Sequence, residues 1–112
     1  MNTIKLIACG DLQLGVLFLV ASLPLMLRKI PRNQVYGIRI PAAFASEQRW
    51  YDVNAYGGRQ LATWSFLLIA AGVTGFFVAP EDFALYAGGS LVAAILAVTI
   101  PLLLILRWSR RQ

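Results

Sequence analysis

Residues 33–59 read NQVYGIRIPAAFASEQRWYDVNAYGGR, a polar run set between long aliphatic blocks. The fold turns on this run, because it separates one apolar block from the next two. Residues 4–27 precede it, and residues 61–79 and 83–106 follow. At 1.5 Å per residue the blocks make helices of about 36, 28 and 36 Å. The hydrocarbon core of a bilayer is roughly 30 Å thick, so each is long enough to cross it. Backbone groups in lipid must be satisfied within their own segment, which makes helices the expected form. The expected architecture is an all-α membrane protein, a single membrane domain over residues 1–112. It has three transmembrane helices, with an extended loop and an amphipathic helix between the first two. The first block reads as a retained span: only Leu6 to Ala8 separate Lys5 from Cys9, too few for a signal-peptide core, and Arg28 and Lys29 follow.

Hydrophobic residues make up 59% of the chain and charged ones 13%, against roughly 45–50% and 25% in soluble domains. The net charge is +5, but the cations flank apolar blocks instead of forming a patch, which argues against nucleic acid. No His and a single Cys exclude an internal disulfide, a Cys/His zinc site and a Ser-His-Asp triad. No catalytic residue, metal or cofactor is expected.

Lys and Arg set the orientation. With three spans, Arg28, Lys29, Arg32, Arg39, Arg49, Arg59, Arg107, Arg110 and Arg111 share one side, and Lys5 stands alone on the other with Glu81 and Asp82. The amino terminus is therefore expected outside, and the polar loop and carboxyl terminus in the cytoplasm. Trp108 fits an interfacial anchor.

Within the polar run, Pro31 and Pro41 bracket an extended segment, since residues before proline disfavour the α region. Gly37 allows a turn or a close backbone approach. From Ser46 the pattern becomes helical, with Ser46 as N-cap and Glu47 at the positive end of the helix dipole. At 100° per residue, Glu47, Trp50, Asn54, Gly58 and Leu61 fall on one stripe, and Arg49, Asp52, Tyr56 and Arg59 on another. The second stripe reads as a solvated or headgroup-facing surface, with Arg49 and Asp52 as a surface pair. The first needs partners for Glu47 and Asn54, and the loop offers Asn33, Tyr36 and Arg39. An Arg39–Glu47 ion pair is expected at the centre, with Tyr36, Trp50 and Asn54 around it. This arrangement is either a clamp that holds the loop or a surface for a ligand or partner.

Asp11 and Gln13 lie inside the first span, where polar groups are functional candidates by default. For Asp11 an interhelical hydrogen bond is favoured over proton coupling. Small residues at helical spacing (Ala71 with Gly75, Ala84 with Gly88, Gly89 with Ala93 and Ala97) are expected to pack helices within the bundle.

The series Asn33-x-x-Tyr36-Gly37-x-Arg39-x-Pro41, followed by Ser46-Glu47-x-x-Trp50-x-x-x-Asn54-x-x-Gly57 and an apolar span, resembles the SdpI/YfhL family of bacterial membrane proteins. Ile40 departs from the family pattern, which more often has Thr there. The resemblance implies a multi-pass protein of the bacterial cytoplasmic (inner) membrane, of immunity or signalling type and not an enzyme. Such a protein would bind a toxic peptide or a cytoplasmic regulator through Asn33, Tyr36, Arg39, Glu47, Trp50 and Asn54. Two other classes compete with it: a small oligomeric transporter or channel using Asp11, and a lipid-headgroup enzyme using Glu47 with Arg39. Missing His and clustered carboxylates disfavour the enzyme.

Overall fold

A computed structural model describes residues 2–111. It has three α-helices: α1 (Thr3–Met26), α2 (Glu47–Gly75) and α3 (Phe83–Arg111). Single 3-10 turns at Ala43–Ala45 and Pro80–Asp82 precede α2 and α3, and there is no strand among the described residues. Caps set the boundaries. The Asn2 side chain accepts from the Lys5 N–H at 2.9 Å, and Ser46 Oγ accepts from the Arg49 N–H at 3.0 Å. At the end of α1, Arg28 takes the left-handed conformation, φ 60°. The Lys29 N–H reaches back to the Pro24 carbonyl and the Arg28 N–H to that of Leu25, the double closure of a Schellman motif. Arg110 and Arg111 occupy the last turn of α3, where the helix dipole favours cations.

The expected amphipathic helix and second apolar block form one uninterrupted helix, α2. Gly57 and Gly58 do not break it because both are packed against neighbours: Ile38 and Ile105 at Gly57, and Ser22, Leu25 and Met26 at Gly58. The helix ends at Gly75, so residues 61–75 supply about 22 Å of apolar helix, less than the full block. Among the described residues, α1 and the segment Pro80–Arg111 are the two helical stretches long and apolar enough to cross a membrane.

α1 and α2 run antiparallel in close contact. A Cβ on Gly58 would lie 3.0 Å from the Ser22 carbonyl oxygen, and one on Gly72 2.8 Å from that of Ala8. Between them, Gly15 would meet Ser65 O at 3.1 Å. The seam therefore runs through Ala8, Gly15 and Ser22 on one helix and Gly58, Ser65 and Gly72 on the other, at steps of seven. Close backbone approach of this kind lets dispersion act along the whole pair. The small-residue series expected on α3 behaves differently. Ala97 is buried, but Ala84, Gly88 and Gly89 are exposed, and nothing lies within 4 Å of a Cβ at either glycine. α3 presents other residues to the bundle, including Tyr86, whose hydroxyl donates to the Ala71 carbonyl at 2.7 Å.

Two apolar clusters close the ends. Ile4, Ala8 and Tyr86 form one, and Ala43, Trp50, Val53 and Ile105 form the other, under the loop.

Candidate functional site

The loop between α1 and α2 has little regular structure, so its backbone groups must find partners elsewhere. Side chains of the polar run provide them. Asn33 Oδ1 accepts from the N–H groups of Val35 at 2.8 Å and Tyr36 at 2.7 Å. Its Nδ2 donates to the carbonyls of Pro31 at 2.8 Å and Tyr36 at 3.0 Å. One carboxamide thus closes a turn around the loop tip. Arg39 Nη1 donates to the Gln34 carbonyl at 2.8 Å across the same turn.

Asn54, 2% exposed, fastens that turn to α2. Its Oδ1 accepts from the Ile38 N–H at 2.5 Å. Its Nδ2 donates to the carbonyls of Trp50 at 2.9 Å and Ile38 at 3.4 Å. Trp50 is fully buried, and its indole N–H donates to the Ile30 carbonyl at 2.9 Å. Gly37 passes between these two side chains at φ +122°, where a Cβ would stand 2.9 Å from both Asn54 Oδ1 and Trp50 Cζ2. The position needs glycine on both counts. The Tyr36 hydroxyl donates to the Ala21 carbonyl, tying the loop to α1, and Ile38 packs against Gly57 and Ile105.

Four of the six expected site residues, Asn33, Tyr36, Trp50 and Asn54, are therefore brought together, and Arg39 braces the turn they hold. Glu47 is not part of the group. It is exposed and, among the described residues, makes no ion pair with Arg39. It stands in the first turn of α2, directly after the Ser46 cap, where the helix dipole favours a carboxylate. The ion pair that does form is Arg28–Asp52, at 3.0 Å, and Gln48 shares the same carboxylate oxygen at 2.9 Å. The stripe read as solvated is also partly covered. Tyr56 stacks on Trp108 with ring centroids 4.6 Å apart, and the Arg49 guanidinium lies 5.7 Å from the same ring and donates to the Ser109 carbonyl. Trp108 thus joins α3 to α2. Ile38 and Val35 went unnoticed in the sequence; the Gly57-Gly58 pair was the one signal that something packs closely there.

While Asn33 and Arg39 bond the loop's own backbone, the loop turns an apolar residue outward: Val35 is 85% exposed. Tyr36, Gly37 and Ile38 also wall a small cavity with Phe18, Ser22 and Leu61.

In the membrane part, Asp11 is 8% exposed and accepts a hydrogen bond from the Ser90 hydroxyl of α3, the interhelical bond favoured from the sequence. Gln13 lies apart from it and is exposed.

Long apolar helices joined by an internally hydrogen-bonded polar loop define a small helical membrane protein. The model of the SdpI/YfhL protein family matches residues 29–109, and the chain belongs to that family. No curated protein and no solved structure matches it.

Proposed function

We propose that the chain is a three-span protein of the bacterial inner membrane that binds a membrane-active peptide or a cytoplasmic regulator at the tip of its loop. The observation that carries this reading is the exposure of Val35 on a turn made rigid by Asn33, Arg39 and Asn54. A clamp needs the buried side of that turn and has no use for an apolar tip. Immobilising the loop in advance lowers the entropy cost of binding. The Asn33, Trp50 and Asn54 side chains build the site, and Val35, with the exposed Arg32 beside it, meets the partner.

The third span is supported by packing. α2 lies along α1 from Met26 to Ala8, so it crosses wherever α1 crosses. The charge asymmetry supports a cytoplasmic loop. Family membership makes immunity against a secreted killing peptide the form to test first.

The test is protection of a sensitive cell against a membrane-active peptide encoded beside the gene. Val35→Asp should abolish protection at normal protein abundance, whereas Asp11→Asn should preserve it. Full protection by Val35→Asp would remove the tip from the account. Transport would replace this reading if Asp11→Asn eliminated a proton-dependent flux that the loop variants retain.

A further inference from the structure

The bundle leaves Gln13 without a partner. The buried face of α1 runs through Ile4, Ala8, Asp11, Gly15, Ser22 and Leu25. At 100° per residue Gln13 projects about 200° away from Asp11, to the opposite side of the helix. That side is open, and Leu12, Gln13, Val16, Leu17 and Val20 line a shallow groove of about 470 Å³ along it. Leu6, Gly10, Gln13, Leu17 and Val20 succeed one another at steps of four, three, four and three. That is the seam of a heptad repeat, with a single polar residue at its centre.

Gln13 makes no hydrogen bond among the described residues. Ten residues from the start of α1, it lies about 15 Å along a helix of about 36 Å, near mid-bilayer, where no water is available. A bare carboxamide there is unfavourable.

A carboxamide carries donor and acceptor ends of opposite partial charge, so it is complementary to another carboxamide. Copies of one chain insert with the same orientation. A two-fold axis along the membrane normal therefore brings each α1 residue to the level of its own counterpart. Gln13 then meets Gln13, and each supplies what the other lacks. Gly10, with nothing within 4 Å of a Cβ, allows close approach one turn away. We propose that the outer seam of α1 is the interface of a homodimer, closed by a Gln13–Gln13 hydrogen-bonded pair. Gly88 and Gly89 of α3 are the competing surface, and the exposed Thr99 shares the face of Gly88; a hydroxyl there can bond a carbonyl of its own preceding turn, which would leave half of a carboxamide's needs unmet.

The test uses the purified full chain with Cys9→Ala, reconstituted in phospholipid vesicles. Single cysteines at Leu6, Gly10 or Leu17 should form disulfide dimers on oxidation, whereas Leu14→Cys and Gly88→Cys should not. With Gln13→Leu, energy transfer between labelled copies should report dimerisation roughly three- to thirty-fold weaker, and Gln13→Asn should restore most of it. The leucine variant is more apolar, so insertion is preserved. A pure chain that stays monomeric at every protein-to-lipid ratio, or pairs through Gly88, overturns the proposal. So does a dimer indifferent to Gln13→Leu.

Discussion

Removing the Asn54 carboxamide leaves the Ile38 N–H without an acceptor inside a closed contact. An unsatisfied buried donor costs about 1–3 kcal/mol, so Asn54→Ala should lower unfolding stability in detergent by that amount. Trp50→Phe removes the pyrrole half of a fully buried indole and strands the Ile30 carbonyl, and should cost about 2–3 kcal/mol. Glu47→Ala, by contrast, should shift stability by no more than about 0.5 kcal/mol, and its effect should add to that of Arg39→Ala. Coupling between those two variants in a thermal-unfolding cycle would contradict the geometry described above. The Trp50–Asn54 stripe was legible because helical periodicity puts residues four apart on one face. Their partners were not legible, since they are backbone groups of Ile30 and Ile38, and a backbone donor or acceptor leaves no mark in the sequence. Arg39 and Glu47 looked like a pair on charge alone, although each was committed to local geometry, one to the turn and the other to the helix start.

At the scale of elements, the close seam between α1 and α2 decides which glycines can change. A Cβ at Gly72 would press on the Ala8 carbonyl oxygen and the Leu12 backbone nitrogen, at 2.8 and 2.9 Å. Backbone cannot step aside as a side chain can, so Gly72→Ala should destabilise the bundle by about 1–3 kcal/mol. Gly88→Ala meets open space and should be neutral or stabilising by up to about 1 kcal/mol through helix propensity. Equal losses in the two variants, measured by thermal unfolding, would mean that the α1–α2 seam is misplaced. The apolar blocks revealed that there would be three helices, and the Ser46 cap revealed where α2 begins. The seam was hidden because its residues recur every seven positions and mix Ala, Gly and Ser, whereas the four-residue step from Ala84 to Gly88 that catches the eye on α3 faces outward. The end of α2 at Gly75 was equally hidden, because the apolar run continues through Phe76, Phe77 and Val78 after the helical hydrogen bonds have stopped.

For the whole molecule, the long axis of 53 Å exceeds a hydrocarbon core of roughly 30 Å, so one end must stand outside the bilayer. The cluster of Trp50, Val53 and Ile105 beneath the loop gives that end a core of its own, and the cations gather there. In the proposed topology α2 crosses the membrane with α1, and the loop and the Glu81–Asp82 turn lie on opposite sides. Cysteine accessibility tests this directly. In a Cys9→Ala background, Glu81→Cys should react with a membrane-impermeant maleimide in intact cells, and Val35→Cys should react only after permeabilisation. Labelling of both from the same side would mean that α2 does not cross, and the reverse pattern would place the loop outside the cell; either result would contradict the account.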